Sequence, residues 1–182
     1  MPKRSFIAFP VAAVVAATGL VSMSPSQANA DTCLNTTIIS DVNNMFVSAE
    51  LNQTGTLYGM LRARATSVGP WERFRICESD GLAGSTTWTI QSLANGKYVS
   101  AELNYEGHYS GLLRARADSP GPWEKFRFSG DPFTLRQSSM VSLGNGRYVT
   151  TEVNETGSSY AMLRARASSV GAWERYRTCS TC

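Results

Sequence analysis

Histidine is the side chain that most often carries acid–base chemistry near neutral pH, and this 182-residue chain holds one, His108. No Ser/His/Asp or Cys/His set that would activate a nucleophile can be assembled around it. A pair of carboxylates could still act on a glycosidic bond, but the acidic residues that stand out recur along the chain. Recurrence suits a structural role better than a single active site. We therefore predict no catalytic residues, no enzyme activity and no cofactor.

Tyrosine and asparagine recur in three short segments, 52–58, 104–110 and 154–160, which differ from one another more than their surroundings do. A tyrosine ring offers a flat apolar face with a hydroxyl, which suits contact with a glycan or a protein. The asparagines could instead bond their own backbone in a turn. The candidate ligand-binding residues are Tyr58, Tyr105, Tyr109, Tyr160, Asn52, Asn104 and Asn154.

These segments belong to an internal repeat that must position them. Blocks beginning at Phe46, Tyr98 and Tyr148 align without a gap at offsets of 52 and 50 residues. A fixed period of about fifty residues indicates a repeat architecture whose units are too short to bury a core singly. The units are expected to span roughly 33–80, 81–131 and 132–182.

Each unit is predicted to form four short strands. The lead-in stretches alternate apolar and polar residues and end in a hairpin turn, Asn95-Gly96 or Asn145-Gly146, with Asn44-Met45 as a weaker counterpart. The third strand, Leu-Arg-Ala-Arg-Ala, is expected to point its arginines outward and its small residues inward. The fourth starts at the recurring Trp-Glu. Closing three such units into one barrel removes exposed edges, so we predict an all-β, disulfide-bearing β-trefoil of three four-stranded repeats.

Charged and aromatic residues repeat with the strands, which favours structural roles for most of them. Each unit pairs two arginines with two glutamates, and opposite charges on neighbouring strands stabilise a sheet. The repeated Trp71, Trp123 and Trp173 are interpreted as framework packing rather than as platforms for sugar stacking. Trp88 has no counterpart in the other units, and the sequence leaves open whether it is buried or binds a ligand.

The first thirty residues have the pattern of a secretory signal peptide. Two basic residues precede an apolar stretch, and Ala28-Asn29-Ala30 provides the small residues of a cleavage site. Removing residues 1–30 leaves 15 basic and 14 acidic residues, so charge gives no case for nucleic-acid binding. We expect a secreted protein, without a membrane segment once the signal is cleaved, whose mature domain is 31–182.

Four cysteines lie in that domain, at Cys33, Cys77, Cys179 and Cys182. An even number in an exported chain indicates disulfides, and three pairings remain open. Zinc binding by Cys179 and Cys182 is the alternative, but a single histidine and an oxidising compartment disfavour it. We predict disulfides and no metal.

The element Asn-Gly-Lys/Arg-Tyr-Val, then Leu-Arg-Ala, then Gly-Pro-Trp-Glu-Lys/Arg-Phe resembles the repeat unit of the fascin-like β-trefoils of the actin-crosslinking superfamily. The resemblance covers about residues 33–182 and is carried best by Asn95 to Phe126. It implies actin bundling for the intracellular members, which join several trefoils. This chain looks like the secreted bacterial single-domain members, which often serve as glycan-binding accessory modules. A shared fold does not imply a shared function.

We therefore expect a secreted, non-catalytic, lectin-like module that binds a polysaccharide or glycan through up to three related loop sites. The alternative is a protein-binding module, either an adaptor in a secreted assembly or a protease inhibitor that uses one loop. Binding or crosslinking of actin filaments is the least favoured function for a secreted single domain.

Overall fold

The computed structural model of the chain describes residues 32–79, 86–134 and 137–182, and the predicted signal peptide lies outside them. The described residues form strands connected by turns, with short 3₁₀ helices at Gly55–Leu57, Pro70–Glu72, Gly107–Tyr109, Pro122–Glu124 and Gly157–Ser159. The strands are β1 (Cys33–Ser40), β2 (Met45–Glu50), β3 (Met60–Ala65), β4 (Phe74–Ser79), β5 (Thr87–Ser92), β6 (Tyr98–Glu102), β7 (Leu112–Ala117), β8 (Phe126–Phe128), β9 (Met140–Ser142), β10 (Arg147–Glu152), β11 (Met162–Ala167) and β12 (Tyr176–Cys179).

Six strands pair into a closed antiparallel ring. The order is β1, β4, β5, β8 and β9, and β12 returns to β1. Two backbone hydrogen bonds of 2.8 Å between Ser138 and Tyr176 complete the ring beside β9. Closure leaves no strand of the ring with an unpaired edge. The predicted all-β chain with a barrel-like sheet is confirmed.

The remaining strands form three hairpins, β2–β3, β6–β7 and β10–β11. Their second strands, β3, β7 and β11, pair with one another, so the hairpins meet around a common centre. Met60, Leu112 and Met162 are fully buried there and form a small cluster separate from the main core. The loops that hold the candidate tyrosines each join the two strands of one hairpin.

The turns before the hairpins differ from the sequence prediction in the first unit. The equivalent of Asn95-Gly96 is Asn43-Asn44 and not Asn44-Met45, because Asn43 Nδ2 donates to the Ala63 carbonyl at 2.7 Å as Asn95 does to Ala115 at 2.9 Å. The second turn position has a positive φ, 58° at Asn44 and 69° at Gly96. Asparagine tolerates this left-handed conformation better than other residues with a side chain, so it can stand where the other units have glycine.

The predicted start of the fourth strand is also wrong. The Trp-Glu element lies in a 3₁₀ helix in the first two units and in a turn in the third, and the strand begins two residues after the glutamate, at Phe74, Phe126 or Tyr176. The buried carboxylate of Glu72 accepts the backbone N–H of Gly69 at 2.8 Å, and Glu124 and Glu174 do the same for Gly121 and Gly171. These glutamates therefore hold the turn and do not serve the ion pairs assigned to them. The tryptophans of this turn are half-buried.

Disulfides join Cys33 to Cys77 and Cys179 to Cys182. The first pair is directly cross-strand, because Cys33 on β1 lies opposite Cys77 on β4.

Trp88 is 8% exposed and packs edge-on against Phe128 and Phe133, with ring centroids 6.3 and 5.0 Å away. It therefore fills the core and is not a binding aromatic.

A buried polar network distinguishes the last third of the chain. Tyr176 stands where the other units have phenylalanine, and burial raises the pKa of its hydroxyl well above the usual range. Thr151 stands where they have alanine, and its hydroxyl lies 3.0 Å from Tyr176 Oη and 2.9 Å from Ser40 Oγ. The residues that correspond to Ser40, which are Ser92 and Ser142, have buried hydroxyls without a partner in the described residues. The additional hydroxyl groups of Thr151 and Tyr176 thus form a hydrogen bond with each other.

We predict that Thr151 and Tyr176 are coupled. Thr151→Ala and Tyr176→Phe should each lower the free energy of unfolding by roughly 1 kcal/mol, because each leaves a buried hydroxyl with fewer partners. The double substitution recreates the alanine and phenylalanine of the other two units and should cost less than the sum. Urea unfolding of the four proteins measures the coupling. Additive losses would show that the network contributes nothing as a unit.

Candidate loop-binding site

Three loops connect the hairpin strands, and each is held by a buried arginine of another hairpin. We name them loop 1 (51–59), loop 2 (103–111) and loop 3 (153–161). Arg114 Nε donates to the Tyr58 carbonyl at 2.8 Å, and its Nη2 donates to Gly55 at 3.2 Å. Arg62 Nε and Nη2 donate to the backbone carbonyls of Tyr160 and Gly157 in loop 3, at 2.9 Å each. Arg164 binds Ser110 and Gly107 in loop 2 at 3.0 and 3.3 Å.

These three contacts form a closed cycle, which we call the arginine clasps. The prediction that both arginines of each pair face outward is wrong, since Arg62, Arg114 and Arg164 are only 7–8% exposed. The neighbouring loop covers what would otherwise be the outer face of the strand. Desolvation by burial lowers the pKa of Arg62 and Arg164. Carbonyl oxygens compensate the buried charge, as a desolvated cation requires.

The sequence predicted an ion pair between the hairpin glutamate and the first arginine of the strand, Glu102 with Arg114, but the second arginine makes it. The guanidinium of Arg116 binds both carboxylate oxygens of buried Glu102, one of them at 3.0 Å. Arg64 with Glu50 and Arg166 with Glu152 repeat the arrangement, with one contact of 2.7 and 2.6 Å respectively. Hydrogen bonding to the carboxylate raises the pKa of all three arginines. The partner of Glu102 is thus chiefly Arg116, with Arg114 farther away at 3.6 Å.

We predict that Arg114→Met loosens the backbone of loop 1, whereas loop 2 loses only the side-chain contact to the Tyr105 hydroxyl. The substitution removes the donors to Tyr58 and Gly55 while leaving the carbonyls of loop 2 bound to Arg164. Stability should fall by about 1–3 kcal/mol, because two partly buried hydrogen bonds from a charged donor are lost. Amide hydrogen exchange should accelerate in residues 51–59.

The matched variant is Arg164→Met, which should accelerate exchange in loop 2 instead. If each substitution loosened the loop of its own hairpin, the cyclic arrangement of the clasps would be contradicted.

The loops also approach the neighbouring hairpins through their backbones. The N–H of Ala115 donates to the Gly59 carbonyl at 2.7 Å, and that of Ala165 donates to Gly111 at 2.7 Å. A Cβ on Gly59 would lie 2.5 Å from the Ala115 oxygen, and the φ of Gly59 is +74°. The third unit places Ala161 at this position with φ of 57°, and its carbonyl accepts the Ala63 N–H at 2.9 Å. Ala161 therefore bears a left-handed conformation that glycine would adopt without cost.

We predict that Ala161→Gly stabilises the protein by at most about 1 kcal/mol, because relief of a left-handed conformation that costs roughly 1–2 kcal/mol outweighs the loss of a buried methyl group worth about 0.8 kcal/mol. The melting temperature should rise without any change in the binding surface. Gly59→Ala is the reverse control and should destabilise the protein, because the added Cβ meets the Ala115 carbonyl. A lower melting temperature for Ala161→Gly would contradict the account of this position.

Loops 1 and 2 line a surface pocket that contains three of the seven predicted binding residues. Its volume is about 300 Å³, and it is lined by Thr56, Asn104, Tyr105, Glu106 and Tyr109. The lining offers two aromatic rings, an amide, a hydroxyl and a carboxylate, which are the groups that bind polyhydroxylated ligands. We call this the tyrosine pocket. It is small for a ligand site, which suits one or two sugar units rather than a large molecule.

Both tyrosines of the pocket are supported from below. Arg114 Nη1 donates to Tyr105 Oη at 2.5 Å, and the guanidinium carbon lies 5.9 Å from the centre of the ring. Tyr109 packs against the cluster of Met60, Leu112 and Met162, and its ring meets that of His108 edge-on at 4.8 Å. Their positions are therefore set by the fold before any ligand arrives, which lowers the entropy cost of binding.

Three other surface pockets of about 410–420 Å³ occur among the described residues, and no aromatic side chain lines them. One is lined by Pro120, Gly121, Pro122, Lys125 and Leu143, and the other two include Gln137. Their size alone does not make them stronger candidates, because they lack a surface on which a ring or an apolar face would stack.

The structure gathers part of the predicted site and separates the rest. Asn104, Tyr105 and Tyr109 share the tyrosine pocket, but Tyr58 and Tyr160 do not line it and are 37% and 36% exposed. Asn52 and Asn154 are exposed in the other two loops. The sequence analysis missed Thr56, Glu106 and the clasp residue Arg114. Aligning the loops would have shown that Tyr58 and Tyr160 correspond to Ser110, whereas Tyr109 corresponds to Leu57.

Within residues 32–79, 86–134 and 137–182 no group of three or more His, Cys, Asp or Glu residues is placed to hold a metal ion. In that same part of the chain, no helix has both the length and the apolar character needed to cross a membrane.

Comparison with known proteins identifies the fold. No family model matches the chain, and no curated protein matches it significantly. Several solved structures do match the chain. A designed threefold-symmetric protein, ThreeFoil, aligns with a TM-score of 0.61 at 16% identity over 80% of this chain and 97% of its own. The BEL β-trefoil aligns with a TM-score of 0.59 at 10% identity over 80% and 92%.

The agglutinin of Rhizoctonia solani also aligns, with a TM-score of 0.58 at 7% identity over 82% of this chain and 96% of its own. Identities this low show the fold alone. The domain is therefore similar to β-trefoil proteins along nearly its whole described length. It also contains two disulfides.

Proposed function

We propose that this chain is a secreted, non-catalytic module that binds carbohydrate through the tyrosine pocket. The observation that carries the proposal is the pairing of Tyr105 and Tyr109 with Asn104, Thr56 and Glu106 around one small pocket. Sugars present an apolar face of C–H groups and a rim of hydroxyls. Aromatic rings bind the first, and amide, hydroxyl and carboxylate groups bind the second.

The proposal extends to the organisation and location of the protein. We propose that the strands group into three four-stranded units, since the ring strands and hairpins alternate regularly along the chain, and that the domain is a single-domain relative of the fascin-like trefoils. Two disulfides and the signal-peptide pattern of residues 1–30 support export. The likeness of the fold to that of an agglutinin supports a binding role.

A protein partner is the second candidate function. It is favoured by Tyr58 and Tyr160, which are exposed large side chains in loops 1 and 3 and do not line the tyrosine pocket. Exposed tyrosines are common in protein interfaces. A partner that used them would contact loops 1 and 3, whereas a sugar in the tyrosine pocket would contact loops 1 and 2.

We predict that the mature, oxidised protein is retained on an insoluble polysaccharide and that its soluble oligosaccharide competes. The test is a pull-down on chitin, cellulose, xylan and purified cell wall, together with a pull-down of proteins from spent culture medium. Tyr109→Leu should abolish retention on the polysaccharide, because leucine at the equivalent position 57 packs on the same cluster and cannot stack as tyrosine does.

Tyr58→Ala is the control, since this exposed tyrosine lies outside the pocket, and retention should be unchanged. A specific protein band that disappears with Tyr58→Ala, with no retention on any polysaccharide, would replace the carbohydrate function by the protein-binding one.

A further inference from the structure

We propose that the chain carries one glycan pocket and not three, and that this pocket selects neutral or amino sugars over anionic ones. The inference rests on the proposed carbohydrate function and specifies its valence and its ligand class. It follows from comparing the three junctions between neighbouring loops, which share a backbone arrangement but differ in side chains.

The offsets of 52 and 50 residues assign each residue of the tyrosine pocket a counterpart at the other two junctions. Loop 1 meets loop 2 at the tyrosine pocket, loop 2 meets loop 3 at the second junction, and loop 3 meets loop 1 at the third. The same arginine clasp holds each junction together. Equivalence of backbone therefore lets the side chains alone decide which junction binds.

At the second junction a histidine bridges the two loops. His108 corresponds to Thr56, and its Nε2 lies 3.2 Å from Ser159 Oγ, which corresponds to the position of Tyr109. Its Nδ1 lies 3.7 Å from a carboxylate oxygen of Glu155, which corresponds to the position of Tyr105. Both aromatic positions are thus occupied by polar residues that the histidine engages.

At the third junction the two aromatic positions hold Gln53 and Leu57, and Ser158 takes the place of Thr56. Leu57 packs against the cluster of Met60, Leu112 and Met162, as Tyr109 does, but it offers no ring and no hydroxyl. Neither of these two junctions has the pair of aromatic faces on which a sugar would stack.

The charge of the tyrosine pocket indicates its ligand class. Glu106 is exposed, and it is the one residue of the Asp, Glu, Lys, Arg and His types among those that line the pocket. Arg114 lies beneath Tyr105, but it is 7% exposed and its donors are engaged by carbonyls and by the tyrosine hydroxyl. A ligand therefore meets a carboxylate and not a guanidinium. This favours neutral hydroxyls or an ammonium group and disfavours uronate, sulfate or phosphate.

The chain itself provides the means to build a second site. His108→Thr, Glu155→Tyr, Thr156→Glu and Ser159→Tyr together transfer the lining of the tyrosine pocket to the second junction, where Asn154 already matches Asn104. A tyrosine at position 155 would lie near Arg164, as Tyr105 lies near Arg114. The opposite variant, Tyr105→Gln with Tyr109→Leu, gives the two aromatic positions of the tyrosine pocket the residues that the fold already accommodates at the third junction.

The experiment is isothermal titration with chitohexaose, cellohexaose and xylohexaose as neutral probes, with fully deacetylated chitohexaose as a cationic probe and hexagalacturonate as an anionic one. We expect wild type to bind a neutral or cationic probe at one site per chain and hexagalacturonate at least roughly tenfold more weakly. Tyr105→Gln with Tyr109→Leu should remove binding. The four-residue transfer should give two sites per chain, because Tyr109 loses the His108 ring but keeps its packing against the cluster of Met60, Leu112 and Met162. Thermal melts establish that each variant is folded.

Three results would overturn the inference and are distinguishable. Three sites per chain in wild type would retain the carbohydrate function but refute the single pocket. One site that survives Tyr105→Gln with Tyr109→Leu would locate the ligand elsewhere. Preferred binding of hexagalacturonate would refute the ligand class. If folded wild type gave no heat with any probe, the proposed function itself would fail.

Discussion

Three buried guanidinium groups hold the hairpins of this domain together, and the loop surface depends on them. Arg62, Arg114 and Arg164 each donate to two backbone carbonyls of another hairpin's loop, and the three contacts close into a cycle. A buried cation without acceptors would be strongly unfavourable, so each arginine enforces the approach of the loop that it binds. The clasps thus define both the packing of the hairpins and the shape of the surface between them.

A rigid and nearly symmetric backbone leaves function to the side chains that break the symmetry. The repeated residues, which include the clasps, the buried glutamates and the small residues of close approach, all have structural contacts. The two aromatic rings of the tyrosine pocket come from residues that are not repeated: Tyr105 aligns with Gln53 and Glu155, and Tyr109 aligns with Leu57 and Ser159. Sites on loops of a rigid scaffold commonly diverge in this way.

The repeat in the sequence was sufficient to predict an all-β trefoil, because a fixed period and strand alternation are local signals. It was not sufficient to orient Arg114, since period-two alternation assumes that the outer face of a strand is open to solvent, and here the neighbouring loop covers that face. The burial of Trp88 and the pairing of Cys33 with Cys77 were left open for a similar reason: their partners come from distant parts of the chain. For the candidate site, the sequence identified the right loops and three residues of the tyrosine pocket. It included Tyr58 and Tyr160 because a shared residue type was taken for a shared position.

The most direct test of the central claim, that one junction of the clasped surface binds sugar, is to follow backbone amide chemical shifts of the ¹⁵N-labelled mature protein during titration with chitohexaose, cellohexaose and xylohexaose. Our account predicts that one of these sugars shifts the amides of Thr56 and of residues 104–109 while leaving those of loop 3 in place. Shifts of similar size in all three loops, or shifts confined to the barrel strands, would contradict it.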